Sequence, residues 1–349
     1  MYKSFYRAAI SVFGRAIRHS LSDGGSPGHN ICDVCACPEL IHMRSGFLRS
    51  YRILAILLMI DAFIIASSGR VAASPDITAR LLAPTVANGQ VTVIEVNLNG
   101  LDPSATDLKV RYGKSSIDLF QHPLGPAGIY CGLVGIPLSA APQKALIELE
   151  WTDPRGRQGA SVAVRIVDGK YKSENLRVDS GHVKLSKENL ERVGREKKEI
   201  RRIYSSSSDT RLWYGSFNKP LASEPTSVFG TRRLFNGQNR SFHRGIDFRA
   251  PIGTAVHASN SGVIRLAGNL FYSGNIVIID HGKGIFTNYA HLSKIQVVPG
   301  QQVARGHQIG LSGASGRVNG PHLHWGVKVS GVYVDPLQFI NVISMLLGS

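Results

Sequence analysis

The segment HLHWGVKV, His322–Val329, constrains the fold of this chain more than any other segment. Its apolar residues recur at every second position, which is the period of a β-strand with one buried face. Such a strand presents His322 and His324 on the same side. The opposite side is apolar and consists of Leu323, Trp325, Val327 and Val329. We therefore expect a sheet that buries one face of this strand and displays two imidazoles on the other.

Short strand-like runs separated by turn residues fill most of the chain. Residues 74–172 contain QVTVIEVNL and ALIELEWTD, and the part from 225 onward contains NIVIID, IFTNYAHL and GVYVDP. A length of 349 residues suits two domains. We predict an all-β protein, with an immunoglobulin-like β-sandwich at 74–172 and an antiparallel β-sheet domain at 225–349.

A charged segment separates the two predicted β-regions. SKENLERVGREKKEIRRIY begins with Ser186, a good helix cap, and has apolar residues on roughly one face. It predicts one exposed amphipathic helix. The tract SSSSDT, residues 205–210, follows and predicts a flexible joint. We assign residues 173–224 to a helical linker and hinge.

The N-terminal region has the pattern of an export signal. The apolar run Ile53–Ala66 is shorter than the ~20 residues of a spanning helix, and arginines precede it. Small residues at Val71–Ala73 suit a signal peptidase, so we predict a signal peptide at 43–73 and a protein of the periplasm or cell envelope. An uncleaved membrane anchor is the alternative. Since Met43 fits the start of such a signal, residues 1–42 are interpreted as lying upstream of the true start.

The net charge bears on the partners of the chain, and the number of cysteines limits its disulfides. A net charge of +16 attracts polyanions, but no nucleic-acid-binding motif is recognisable, so we expect no nucleic-acid partner. Only Cys131 of the four cysteines follows the predicted signal, which leaves no internal disulfide in the mature chain. The sequence leaves the oligomeric state open.

A second histidine motif precedes the strand that carries His322 and His324. In FHRGIDF, residues 242–248, His243, Gly245 and Asp247 share one parity. The apolar Phe242, Ile246 and Phe248 occupy the other. An extended segment would present the histidine and the aspartate on one side. Together with one histidine of the later pair they make a His₂Asp set, which suits a catalytic zinc ion with one position left for water. The other histidine would reach the substrate.

Taken together, in order and with NYAHLS between them, these motifs resemble the lysostaphin-type, or LytM-like, zinc metallopeptidases of bacterial cell walls. The likeness covers about residues 225–340 and includes GIDFRAPIGTAVHASNSGVI, GNIVIIDHGKGIFTNYAHLS and GRVNGPHLHWGV. It implies that His243, Asp247 and His324 bind one Zn²⁺ per chain. It also implies that His291 and His322 stand free of the metal and act in catalysis. Asn319 departs from the family pattern, where a threonine is common.

The resemblance implies an exported zinc metalloendopeptidase that hydrolyses peptide cross-links of peptidoglycan, with stem peptides as its partners. The alternative is a catalytically silent relative that binds murein or activates another cell-wall hydrolase. Which of His291 and His322 is the general base stays open. We expect structural roles for His257, His281 and His307. Arg232 and Arg233 are interpreted either as part of a groove wall or as a solvated loop.

Overall fold

The computed structural model describes residues 77–176, 185–235 and 239–348. These residues form β-strands and two helices, which confirms the all-β prediction. The predicted signal peptide at 43–73 and the upstream residues 1–42 lie outside the described part. Among the described residues, no helix has the length and apolar character needed to cross a membrane.

The N-terminal strands form two sheets, one of four strands in the order β1-β3-β7-β6 and one of five in the order β2-β9-β8-β4-β5. Their bounds are β1 (Thr78–Leu81), β2 (Thr85–Ala87), β3 (Val91–Asn97), β4 (Thr106–Tyr112), β5 (Ser115–Ile117), β6 (Phe120–Gln121), β7 (Ile129–Gly135), β8 (Gln143–Asp153) and β9 (Gly156–Val167).

Both of these sheets contribute to one hydrophobic cluster. Ile94 and Val96 from β3 lie in it together with Ile147 and Trp151 from β8, and each is at most 1% exposed. Inward and outward residues alternate along the second half of β8, as expected for a strand with one buried face. The sheets are therefore two layers around a shared core. The immunoglobulin-like topology stays a prediction.

The charged segment between the β-regions forms helix α1, Lys187–Tyr204, as predicted. The Ser186 hydroxyl caps it by accepting a hydrogen bond from the Asn189 amide at 3.3 Å. We expected an exposed helix, but Val193 and Ile203 are buried, and Ile203 shares a hydrophobic cluster with Ile278. The apolar stripe of α1 therefore packs on the C-terminal sheet.

The serine tract after α1 is held against the same sheet. The Ser207 hydroxyl and the Ser208 amide each donate a hydrogen bond of 2.9 Å to the carboxylate of Asp280, which is fully buried. Asp280 also pairs with Arg265. We predicted a flexible joint from composition alone, and these contacts correct that prediction for Ser207 and Ser208 because a buried carboxylate requires such partners.

The C-terminal strands form a small sheet in the order β10-β12-β13 and a large sheet of ten strands. Seven strands of the large sheet follow the order β11-β14-β21-β18-β17-β16-β19, while β15, β20 and β22 attach to its flanks. The strand bounds are β10 (Ser173–Leu176), β11 (Pro225–Ser227), β12 (Arg232–Phe235), β13 (Asn239–Phe242), β14 (Ile246–Arg249), β15 (Ala255–His257), β16 (Gly262–Leu270), β17 (Gly274–Gly282), β18 (Ile285–Ile295), β19 (Gln302–Val303), β20 (Gln308–Ser312), β21 (His322–Val329) and β22 (Val332–Val334), and helix α2 (Pro336–Leu346) follows.

The sandwich and the large sheet share apolar packing. One hydrophobic cluster contains Val93 and Leu133 of the sandwich together with Trp213, Trp325 and Phe339. The sandwich thus contributes to the core that supports the large sheet. The domain boundaries that we placed at residues 172 and 224 stay predictions.

The register of three strands in the large sheet positions the candidate site. On β14 and β21, Asp247 lies directly opposite His324. On β18 and β21, Ala290 lies opposite the same histidine, and His291 follows it. Because directly opposed residues share a face of the sheet, Asp247, His322 and His324 meet on one surface. Regular alternation would send His291, one residue after Ala290, to the other face, but its ring lies 4.8 Å from that of His322 between centroids.

Candidate metal centre and active site

Strand β21 has the two faces that its sequence predicts. His322 and His324 are partly exposed on one side. The residues of the other face are each 0% exposed, and they are Leu323, Trp325, Val327 and Val329. The apolar side is the floor of the sheet, so the imidazole pair is displayed on its functional surface.

His243 and Asp247 meet in a different way from the one expected. A single extended strand would place residues four apart at a separation of about 13 Å. In the structure β13 ends at Phe242 and β14 begins at Ile246, so residues 243–245 break the strand. This break brings His243 Nε2 to 3.0 Å from Asp247 Oδ1. The prediction of one continuous extended segment is therefore corrected.

Gly245 lies in that break, and the site needs a residue without a side chain there. A Cβ added at Gly245 would lie 2.5 Å from the carbonyl oxygen of Trp325 and 2.7 Å from the His324 ring. Both neighbours belong to the buried strand β21 and have little freedom to move. The glycine permits the close approach of the loop to the strand that carries His324.

Three possible ligand atoms converge at this point. Asp247 Oδ1 lies 3.0 Å from His243 Nε2 and 2.9 Å from His324 Nδ1, and the two nitrogens are 3.1 Å apart. The other ring nitrogen of His243, Nδ1, lies 3.0 Å from the carbonyl oxygen of Val228. A ring that donates through Nδ1 keeps a lone pair on Nε2, which is the common arrangement of a metal-binding histidine. The donor set fits a divalent metal ion.

The protonation states of these ligands also suit metal binding. Burial alone would raise the pKa of Asp247, but hydrogen bonds with His243 and His324 outweigh it and lower that pKa. Burial lowers the pKa of His324, against the effect of Asp247. An ionised carboxylate and a neutral imidazole are the forms that bind a metal.

His291 and His322 form a second pair beside the ligands. Their ring centroids are 4.8 Å apart, and His322 Nε2 lies 3.8 Å from Asp247 Oδ1. Each Nδ1 is 2.9 Å from a backbone carbonyl oxygen, that of Ser315 for His291 and that of Gly320 for His322. With the hydrogen assigned to Nδ1, a neutral ring offers Nε2 as a proton acceptor. Burial lowers the pKa of His291 to about 4, so this ring is neutral at pH 7.

The backbone of His291 has an uncommon conformation. Its φ is 65°, in the left-handed region that non-glycine residues rarely adopt. The His291 amide donates a hydrogen bond of 2.9 Å to the carbonyl of Ser273, at the tip of the β16–β17 hairpin. Residues in such conformations persist where their surroundings hold them, and they concentrate at functional sites.

The same hairpin tip is tied to helix α1. The Phe271 amide donates to the carboxylate of Glu196, at 2.9 Å and 3.1 Å from its two oxygens. Arg192 donates to Glu196 at 2.7 Å and to the Asn269 side chain at 2.9 Å. No local sequence pattern predicts this connection, because the residues that make it are about 75 positions apart.

His281 is also buried in the large sheet, but its ring nitrogens diverge. Nδ1 lies 2.7 Å from the Ser261 carbonyl oxygen and Nε2 lies 2.8 Å from the Thr287 hydroxyl. The Thr287 hydroxyl in turn donates to Tyr289 at 2.9 Å. Burial lowers the pKa of His281 to about 4. His281 has the hydrogen-bonded structural position that we expected.

A second group of possible ligands lies in the sandwich and consists of Glu95, His122 and Cys131. Glu95 already pairs with Arg80, and His122 Nε2 lies 3.4 Å from its other oxygen. Burial raises the pKa of the Cys131 thiol to about 12, so the sulfur stays protonated. A guanidinium beside the carboxylate and a protonated thiol both disfavour a cation.

Arg232 and Arg233, which precede the metal motif, begin strand β12, so the interpretation of this segment as a solvated loop is wrong. The guanidinium of Arg232 lies 5.5 Å from the ring centroid of Phe242. The side chain of Arg233 lies outside the described residues, so its part in a groove wall stays a prediction.

Part of the chain matches a known protein family. Residues 241–336 match the model of Peptidase family M23. The peptidoglycan DD-endopeptidase ShyA of Vibrio cholerae is 48% identical over 114 residues, which are 32% of this chain and 26% of ShyA. The DD-carboxypeptidase/endopeptidase Mpg of Neisseria meningitidis is 42% identical over 126 residues, which are 36% of this chain and 29% of Mpg. The chain spans less than a third of the length of these relatives.

One solved structure resembles more of the chain. A crystal structure of an M23 peptidase from Pseudomonas aeruginosa has a TM-score of 0.56 and 30% identity, and the match covers 73% of this chain and 95% of the other. Because this share is far larger than residues 241–336, the likeness of fold extends into the region upstream of the family match.

Proposed function

Residues 241–336 form a domain of peptidase family M23, and on that premise we propose that the chain is an exported zinc metalloendopeptidase that hydrolyses peptide cross-links of bacterial peptidoglycan. The observation that carries the proposal is the convergence of His243 Nε2, Asp247 Oδ1 and His324 Nδ1 to within 3.1 Å of one another. Two imidazoles and one carboxylate are a ligand set of catalytic zinc sites.

The proposed metal ligands are His243, Asp247 and His324, with one zinc ion per chain. A zinc ion held by three protein ligands lowers the pKa of bound water and polarises a carbonyl group. The carboxylate of Asp247 balances part of the positive charge. The carbonyl of Val228 orients the His243 ring from outside the ligand set.

The proposed catalytic residues are His291 and His322. Both rings can hold a hydrogen on Nδ1 through a backbone carbonyl, which leaves Nε2 to accept a proton from an attacking water. The same nitrogen can return that proton to the leaving amine of the cleaved peptide bond. The other ring, if protonated so that its Nε2 also carries a hydrogen, would donate a hydrogen bond to the developing oxyanion. The division of these two roles between the rings stays open.

The substrate class is supported by the names of two relatives, a peptidoglycan DD-endopeptidase and a DD-carboxypeptidase/endopeptidase. Both are similar to the region that contains the proposed ligands. The proposed location, the periplasm or cell envelope, is where peptidoglycan lies, and it agrees with the signal-like sequence at residues 43–73.

Digestion of purified murein sacculi tests the proposal. We expect the zinc-loaded chain to release soluble peptides, a chelator to stop the release, and added zinc to restore it. Mass spectrometry of the products identifies the bond that is cleaved. A zinc-loaded chain that binds sacculi without releasing peptide, or that only raises the rate of another hydrolase, would establish the catalytically silent alternative instead.

A further inference from the structure

Arg249 lies beside the proposed catalytic pair and has no role in the proposed mechanism. On the paired strands β14 and β21, Arg249 is directly opposite His322, in the same register that sets Asp247 opposite His324. Directly opposed residues of an antiparallel pair place their Cβ atoms about 5 Å apart on one face. The Arg249 side chain therefore starts on the active-site face, next to His322.

Arg249 differs from the other arginine in the strands of the large sheet. Arg265 pairs with the buried carboxylate of Asp280 at 2.8 Å. Arg249 is exposed and has no hydrogen bond, ion pair or aromatic partner among the residues that the structure describes. Arg317, on the loop that leads to His322, is already stacked over the ring of Tyr272 at 5.1 Å. Arg249 thus has a guanidinium that is free to bind a ligand.

The chemistry of a guanidinium selects a carboxylate. Its planar fork donates two parallel hydrogen bonds to the two oxygens of one carboxylate, and the charges add to the interaction. A peptide whose scissile amide lies near His322 would bring its neighbouring residues close to Arg249. A free carboxylate on one of those residues would find a partner there, whereas a carboxamide would not.

We propose that Arg249 is a specificity-determining residue that binds a free carboxylate of the substrate next to the scissile amide. The inference rests on the proposed function, and it narrows the substrate class to acidic peptides that are not amidated at that position. The position of Arg249 at the end of β14, fixed by pairing with β21, holds the base of its side chain in place.

The test uses the full, zinc-loaded chain and synthetic cross-linked peptides in two forms, with the carboxyl groups next to the scissile amide either free or amidated. A hydrogen bond to a charged group predicts a preference for the free acid of about 10- to 100-fold in kcat/KM. Arg249→Gln should lose this preference, mainly through a higher KM on the free acid, because the contact forms equally in the ground state. Arg249→Lys should keep part of it.

Arg305→Gln is the matched control. It removes one positive charge, as Arg249→Gln does, but the guanidinium of Arg305 donates to the Ser216 carbonyl at 2.9 Å, away from the site. This variant should keep both rates. Equal rates of the parent chain on the two peptides, or an equal loss by Arg249→Gln on both, would overturn the carboxylate subsite alone. A zinc-loaded parent chain that cleaves neither peptide overturns the proposed function, and the subsite with it.

Discussion

Two histidine clusters lie in the C-terminal part of the chain, and they differ in the direction of their ring nitrogens. One consists of His281 with its hydrogen-bond partners, and the other consists of His243, Asp247 and His324. At His281 both nitrogens turn outward to protein oxygens, at 2.7 Å and 2.8 Å. At His243 and His324 one nitrogen of each ring turns inward to Asp247 Oδ1, at 3.0 Å and 2.9 Å. Convergent nitrogens leave lone pairs around a common point, whereas divergent ones satisfy the ring completely.

This difference distinguishes a structural histidine from a histidine that can bind a metal. His243 and His281 are both buried, so burial does not distinguish the two clusters. The direction of the ring nitrogens does, because one nitrogen each of His243 and His324 converges on Asp247 Oδ1 whereas those of His281 diverge. His281 has a complete set in Ser261 and Thr287, and it should therefore contribute stability without metal binding.

The largest effect is expected at the convergent cluster. His243→Ala removes one of the three proposed ligands, and without a retained ion the rate of peptide hydrolysis should fall by at least about 1000-fold. His281→Gln, the matched change at the divergent cluster, should keep most of the activity. Assays of both variants on sacculi check the contrast, which would be broken if His281→Gln lost as much activity as His243→Ala.

The second-largest effect on activity is expected at the proposed catalytic pair, His291 and His322. His322→Ala should keep the metal, because its ring lies outside the converging ligand set, and should lose turnover by about 100- to 10,000-fold as expected for removal of a general acid–base group. Single-turnover assays together with metal analysis separate the two properties. A variant with normal turnover, or one that has lost its metal, would contradict the assigned role.

A smaller expected effect is a pH dependence of the free energy of unfolding that arises from His281. Its pKa is about 4 in the folded chain and near 6.5 when unfolded, so the unfolded chain binds more protons between these values. The free energy of unfolding should therefore be highest above pH 6.5 and fall by about 3 kcal/mol as the pH decreases to 4. Denaturant titrations in chelator should show a shallower fall in His281→Gln. If the free energy of unfolding fell equally with pH in the parent chain and in His281→Gln, His281 would make no such contribution.

The smallest effect is expected at the helix that supports His291. Glu196→Ala removes the acceptor of the Phe271 amide and loosens the hairpin whose Ser273 carbonyl holds His291, so we expect kcat to fall by about 3- to 10-fold with little change in KM. Glu196→Gln, which keeps an acceptor oxygen, should recover part of the rate. Glu199→Ala, on the same helix and exposed, is the control. Equal losses at Glu199 and Glu196 would exclude a specific connection.

Local periodicity predicted the strand that displays His322 and His324, because a strand with one buried face has a repeat of two that survives in a single segment. The motif around Asp247 was harder. Its alternation suggested one extended segment, but the contact with His243 depends on a break at residues 243–245 that tertiary packing on β21 imposes. The residues were predicted, and their local structure was not.

Long-range contacts explain the other differences. The apolar stripe of α1 was visible in the sequence, but the sheet that covers it is not encoded nearby, so burial of Ile203 was missed. The serine tract has the composition of a joint, but contacts with residues distant in the sequence restrain it, among them the hydrogen bonds of Ser207 and Ser208 with the buried carboxylate of Asp280. Arg249 shares its parity with Asp247 in IDFR, which was a signal available in the sequence.

Elemental analysis of the purified, folded chain tests the central claim most directly. We expect about one zinc ion per parent chain, almost none in Asp247→Ala and about one in His281→Gln, because the convergent nitrogens of His243 and His324 and the carboxylate of Asp247 form the proposed zinc site. A folded parent chain that contains no zinc and takes none up after dialysis against it, or an Asp247→Ala chain that keeps a full complement, would contradict the account.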